Sequence, residues 1–271
     1  MKRQIADIVR SWSIQQAVKS QNLDFMYKEL ERIVPDIGDQ YTGISVDRSY
    51  MRLKVRAVHA FQMQLFTEAI NDYGWKSGML GQLEPLKGVD IGDSSGNHTL
   101  YLKVLCSSVR MTSANIDRTA VEKIRSKGLT GVLLCKDFIK DMVCLCSGRQ
   151  FATLFQVLEH IPNPVQYLHE LSKSDLEMLI LTVPYVRTSR VGMHHLRDSN
   201  YKGSGTAEDV HVFELCPGDW KLLFQYCGWK VNYDTVYYQY PSWLMPVKWF
   251  WRWHDFEGFW GVVLKKEESN D

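Results

Sequence analysis

The stretch Gly88-Val-Asp-Ile-Gly-Asp-Ser-Ser-Gly-Asn-His98 constrains this chain most. An apolar run from Leu86 to Ile91 stops at small residues, Gly92, Ser94, Ser95 and Gly96, and a helix-compatible run follows from Asn97 to Leu105. Strand, tight turn and helix together are the opening of a nucleotide-binding βαβ unit. Gly92 lets the chain turn sharply, and Gly96 lets a ligand or a strand come close to the backbone. The unpaired N–H groups at the helix start favour a polar or anionic ligand group. Taken alone, the same residues also fit an ordinary strand-to-helix turn.

The segments that follow favour the nucleotide reading. Met111–Asp117 is a second strand candidate that ends in an acid, and Asp117 lies 25 residues after Gly92. That is close to the spacing at which an acid at the end of the second strand accepts from ribose hydroxyls. Phe151–Pro164 reads as strand, loop and helix start, and Glu177–Tyr185 as an apolar strand.

With these segments in place the chain resembles class I S-adenosylmethionine-dependent methyltransferases over residues 85–235. The family's first strand runs hydrophobic-Asp-hydrophobic-Gly-x-Gly-x-Gly; here Asp90, Gly92, Ser94 and Gly96 stand at those places, with Asp93 before a serine that replaces the middle glycine. Val157-Leu-Glu-His-Ile-Pro-Asn-Pro164 looks like the family's motif after the fourth strand. The resemblance implies S-adenosylmethionine as cofactor, held by Asp90, Gly92, Asp93, Ser94 and Gly96. It gives the ribose to Asp117 beside Ile116, the adenine amino group to Asp137, and the methionine end to Asp90, Gln156 and Val157. Some relatives bind a divalent ion through Glu-x-x-Glu-His after the fourth strand. Here the segment is Gln156-x-x-Glu159-His160. One carboxylate is missing, which weakens a site for a hard cation, so no metal is expected.

The chain divides into a helical extension over residues 1–80 and a methyltransferase-like domain over 81–271. In the extension, Ile5, Ile8, Val9 and Trp12 form a helical stripe, and Leu23, Met26, Tyr27 and Leu30 repeat the spacing before Pro35. A third helix spans 49–73, with Gly74 as its stop. The role of this whole extension is either to cover a sheet edge and the cofactor or to serve as a lid or substrate wall. Beyond residue 85, strands alternate with helices, as in a mostly parallel Rossmann-like sheet with helices on both faces. Strands are expected at 86–91, 109–116, 131–135, 151–157 and 178–183, with residues 138–150 ambiguous. Strands at 229–238 and 259–264 would be the sixth and seventh by resemblance, the seventh antiparallel. Between these two lies an aromatic insertion at 239–257. Five of the nine tryptophans fall in residues 243–260, a surface suited to the chain's own helices, to a ringed acceptor or to weak contact with a membrane surface.

Composition narrows the class. The chain is 45% hydrophobic and 23% charged with net charge +1, so it can bury a full core, and a nucleic-acid partner is disfavoured. Six cysteines form no paired CxxC zinc signature. No run is long enough for a membrane helix, and the N-terminus lacks the apolar core of a signal peptide. Both points suggest a cytoplasmic enzyme.

Ligands bind such sheets at the carboxyl ends of the strands, where Asp90–Gly96, Asp117, Asp137 and Gln156–His160 converge. Methyl transfer from a sulfonium is an in-line displacement in which the protein mainly positions the partners. A hydroxyl acceptor calls for a base, and the candidates are His160, directly after the fourth strand, and His194 and His195 in the long loop at 186–213. His160 could equally brace the helix that follows it. The leading reading is O-methylation of a small-molecule or glycan acceptor. A methyltransferase-like partner module with little or no activity is the alternative, favoured by Ser94. A nicotinamide-dependent oxidoreductase is disfavoured by the Leu158–Pro164 segment and by the lack of a full GxGxxG.

Overall fold

The computed structural model describes residues 2–42, 46–76, 85–134, 138–192, 211–241, 243–244 and 257–267. Asp137, His194 and His195 lie outside the described residues, as does most of the aromatic insertion.

Three helices come first: α1 (Lys2–Ser20), α2 (Asp24–Ile33) and α3 (Ser49–Lys76). The sheet unit then runs β1 (Leu86–Ile91), α4 (Asn97–Leu105), β2 (Val109–Asn115), α5 (Arg118–Ser126), β3 (Gly131–Leu133), α6 (Phe138–Cys146) and β4 (Phe151–Phe155). A short 3₁₀ turn (Leu158–His160), α7 (Pro164–Ser172) and β5 (Met178–Tyr185) follow. A two-stranded ribbon, β6 (Arg190–Val191) with β7 (Phe213–Glu214), precedes α8 (Pro217–Tyr226), β8 (Trp229–Tyr238) and β9 (Gly258–Lys266).

The seven-stranded sheet has the order β3-β2-β1-β4-β5-β9-β8. Strands β1 to β5 pair in parallel, and β9 is antiparallel to both β5 and β8. This is the expected Rossmann-like sheet with an antiparallel last strand. The chain returns from β3 to β4 across β1, so the strand order reverses between β1 and β4. A crevice at such a reversal is where open α/β sheets take their ligands.

Apolar side chains cover both faces. One core holds Phe151, Ile180, Phe259 and Val263 together with residues of α1, α2 and α3. The other holds Val89, Leu154, Leu181 and Trp260 beneath α6, α7 and α8. The N-terminal helices therefore share a core with the sheet. α3 packs closely on Gly261, where an added Cβ would stand 2.7 Å from Phe61 Cζ.

Several expectations need correction. Gly74 does not stop α3, which continues to Lys76, because a glycine inside a helix costs only about 1 kcal/mol. The Ile5, Ile8, Val9 and Trp12 stripe is exposed, with Ile8 at 69%. α1 instead buries Ser13, Ile14, Ala17 and Val18: the helix is as read, but the face turned inward is the adjacent one. Residues Phe138–Cys146 form a helix. The fourth strand ends at Phe155 rather than at 157, because Gln156 takes a left-handed backbone, φ 59°. No helix among the described residues is long and apolar enough to cross a membrane.

Candidate functional site at the carboxyl edge

The turn after β1 is built by side chains of its own segment. Gly92 has φ 89°, and its N–H donates to Ala114 O at 2.8 Å. Asp93 braces the rest: its Oδ1 accepts from Gly96 N at 2.8 Å and from Ser95 N at 3.3 Å, and its Oδ2 accepts from Ser113 Oγ at 2.9 Å. Asp93 is therefore engaged with the turn and with β2.

The N-terminal extension reaches the same turn. Ser94 Oγ donates to Gln40 O at 2.6 Å, while Ser95 Oγ (3.1 Å) and Asn97 Nδ2 (2.8 Å) donate to Gln40 Oε1. Gln40, Ser94 and Ser95 are buried, whereas Gly92 is exposed. The hydroxyl at the middle-glycine position thus fastens the loop after α2 onto the turn.

Asp90 lies deeper, 1% exposed. Its Oδ1 accepts from Thr153 Oγ1 at 2.7 Å, and its Oδ2 lies 3.3 Å from His98 Nδ1. The other ring nitrogen of His98 meets Gln62 Oε1 at 3.0 Å. Gln62 Nε2 donates to Thr182 Oγ1 at 3.0 Å, an oxygen that also accepts from Gln156 Nε2 at 3.3 Å. A buried polar chain therefore links β1, α4, α3, β5 and the exit of β4. His98 thus faces an acid at Nδ1 and an amide oxygen at Nε2, surroundings that favour a charged ring. Burial works against that charge, but the hydrogen bond to Asp90 and the charges of Asp90 and Asp93 outweigh it and raise the His98 pKa. Burial also raises Asp90, against the pull of His98.

Asp117 is the N-cap of α5: its side chain accepts from Thr119 N at 2.8 Å, and it is half-buried. Ile116 beside it is 49% exposed. Both sit at the carboxyl end of β2, one strand away from Gly92. Gln156 and Val157 stand at the end of β4, where Val157 leans on Gly92; a Cβ on that glycine would lie 2.5 Å from Val157 Cγ2.

His160 is half-buried and meets His211 edge-on, ring centroids 4.7 Å apart. His211 Nδ1 lies 2.6 Å from Glu214 Oε1, and Glu214 is also paired with Arg190 across the β6–β7 ribbon. Val212 N donates to Glu159 O at 2.7 Å, so the ribbon is pinned against the exit of β4. Ligand atoms of Glu159, His160 and His211 all lie within 4.8 Å of one another, as do those of Asp90, Asp93 and His98. The first group is the one at the carboxyl edge that could share a cation. In the second, which is fully buried, Asp90 Oδ2 and His98 Nδ1 face each other at 3.3 Å, while Asp93 is engaged with the turn.

Of the residues anticipated from sequence, Gly92, Asp117, Ile116, Gln156, Val157 and His160 come together around the end of β1, β2 and β4. Asp90, Asp93, Ser94 and Gly96 form the packed floor beneath them. Sequence reading missed Gln40, Gln62, His98, Thr182 and Glu214. One signal was present: Gln62 is a polar residue among Val58, Phe61 and Leu65, which fall at helical spacing on one side of α3.

No protein-family model matches the sequence, and no curated protein matches it. Solved structures do resemble the fold. A putative sarcosine dimethylglycine methyltransferase from Galdieria sulphuraria superposes with a TM-score of 0.52 at 14% identity, covering 90% of this chain and 99% of that one. The N-terminal domain of EvdMO1 with SAH bound gives 0.51 at 12% identity, over 90% and 97%. The cyclase SpnF gives 0.51 at 11% identity, over 93% and 96%. Sheet order and these likenesses together give the conclusion: the chain has the class I S-adenosylmethionine-dependent methyltransferase fold.

Proposed function

We propose that this protein binds S-adenosylmethionine at the carboxyl edge of its sheet and transfers the methyl group to a hydroxyl of a small-molecule or glycan acceptor. The observation that supports this most is the convergence of Gly92, Asp117 and Gln156–Val157 at the strand-order reversal. In this reading Asp117 accepts from the ribose hydroxyls. The exposed backbone of Gly92 faces the methionine end, with Gln156 and Val157 beside it, and Asp137 meets the adenine amino group. Asp90, Asp93, Ser94 and Gly96 hold the turn in shape from below. The fold's solved likeness with SAH bound agrees with that cofactor.

The acceptor lies over His160. A hydroxyl must lose its proton as the methyl group arrives, and a positioned histidine contributes roughly a hundredfold or more to such a step. His160, His194 and His195 are the proposed candidates for that base, and the helices of residues 1–80 serve as cover through Gln40. The chemistry asks for no metal. A second reading, binding without methyl transfer, draws on Ser94 tying Gln40 down over the turn and on a cyclase having the same fold.

The test is a transfer screen of radiolabelled S-adenosylmethionine against glycan, lipid and phenolic acceptors. Label is expected in a hydroxyl-bearing acceptor, with turnover falling in His160→Ala or His195→Ala while cofactor affinity is nearly kept. Cofactor binding with no label in any acceptor would favour the second reading.

A further inference from the structure

A cleft of about 670 Å³ opens at the opposite edge of the sheet, among the starts of β1 and β2 and the loops before β3 and β4. β3 pairs with β2 only from Ser113 onward. Val109–Thr112 therefore run along the cleft with no strand on their outer side among the described residues. Four cations line the space: Lys87, Lys103, Arg110 and Arg149. Among the described residues no aspartate or glutamate does. Asp175 at the rim is occupied, accepting from Gly148 N at 2.8 Å and from Ser147 Oγ at 3.2 Å.

Lys87 and Arg110 are register partners on adjacent strands, so their side chains leave the same face of the sheet. Thr112, two residues on, shares that face and accepts from Arg149 Nη2 at 3.3 Å, which brings a third cation alongside. Like charges placed side by side on neighbouring strands repel. Lys87, Lys103 and Arg110 are exposed, and none of the four takes part in an ion pair among the described residues. Guarding a bare edge against stray pairing needs one such charge on the edge strand itself. It does not account for Lys87, which sits on the interior strand β1. An anion seated beside Lys87 and Arg110 would account for that pair, with Lys103 of α4 lining the same cleft; Arg149 Nη1 already donates to Leu145 O and Ser147 O.

We propose that this cleft binds a phosphorylated small molecule of nucleotide size. Guanidinium forks and lysine ammonium groups are the usual partners of phosphate oxygens. The cleft falls within the range of about 300–1,000 Å³ that small ligands occupy; it wraps round the bare edge of β2, with Val109 and Met111 lining it on the face opposite to Arg110 and Thr112. The site lies at the amino ends of the strands, so it is distinct from the carboxyl edge and stands or falls separately from the methyl-transfer proposal.

The experiment is calorimetry with two probes, UTP and inorganic pyrophosphate, with S-adenosylhomocysteine present in excess. Both probes are expected to bind, more weakly as salt rises. The double variant Lys103→Glu/Arg110→Glu should lose roughly tenfold or more in affinity for both. Lys103→Arg/Arg110→Lys should retain binding, with circular dichroism showing both variants folded. Unchanged UTP affinity in the charge-reversed variant would overturn the proposal, as would no binding of either probe at millimolar concentration. A single-stranded oligonucleotide that binds more tightly than UTP would also overturn it, by assigning the cleft to a nucleic-acid backbone.

Discussion

Gly92 is held in the left-handed region at φ 89°, with Val157 close enough that an added Cβ would stand 2.5 Å from its Cγ2. Gly92→Ala therefore meets two costs, backbone strain and overpacking, together roughly 2–4 kcal/mol. Val157→Ala should relieve only the second. Urea unfolding of the two single variants and the double variant is expected to show the double less destabilised than the sum of the singles. Strict additivity would mean that the two residues do not touch. A neighbouring pair of histidines sets a pH dependence. His98 has its pKa raised above the ordinary 6.5 by Asp90. Its charged form therefore adds stability below that pH, and the gain is lost as pH rises through the folded pKa. His59, its ring 4.7 Å from that of His98, is pushed well below 6.5 by burial, by His98 and by Arg56. It therefore costs stability as pH falls below 6.5. His98→Gln should flatten the alkaline decline in unfolding free energy and leave a decline on the acid side. An unchanged alkaline slope would show that His98 carries no excess proton in the folded protein.

Among the elements, the helices ahead of the sheet depend on one buried guanidinium. Arg56 Nη1 donates to Leu30 O at 2.9 Å and to Val34 O at 2.6 Å, and Nη2 donates to Pro35 O at 2.9 Å. These carbonyls close the end of α2, where a helix leaves its last acceptors open. Arg56→Ala strips all three and should cost roughly 3 kcal/mol. Because the chain runs from there to Gln40, it should also weaken binding at the glycine turn. A variant as stable as the parent in thermal unfolding would contradict this. At the other rim, Glu159, His160 and His211 lie close enough to share a cation. The three offer a single carboxylate, with Gln156 where a second would stand. Turnover is expected to survive EDTA. Complete loss, restored by magnesium or manganese, would make these three residues ligands.

The elements were legible in sequence because their signals are local. Gly92 and Gly96 punctuate β1 and α4, helical spacing marks the N-terminal helices, and continuous apolar runs mark buried strands such as β4 and β5. The buried polar chain was not legible, because Gln62 meets Thr182 120 residues away and Gln40 meets Ser94 54 residues away. Such contacts depend on how α3 docks on the sheet. The same holds for α1: periodicity showed a helix, but which face turns inward was decided by docking.

For the whole molecule, the sheet order decides where a ligand can sit and leaves the chemistry open. A methyltransferase and a cyclase resemble this fold about equally well, so function has to be argued from the residues at the edge. Of these, Asp117 carries the sharpest expectation. It is half-buried at the end of β2, one strand from the exposed glycine, and the role proposed for it at a ribose would rest on a charge-assisted hydrogen bond. The most direct measurement is calorimetry of S-adenosylhomocysteine with the parent and with Asp117→Ala. The expected result is binding on the order of 8 kcal/mol in the parent, weakened by roughly 1–3 kcal/mol in the variant. No binding in the parent, or tighter binding of a nicotinamide dinucleotide, would contradict the account.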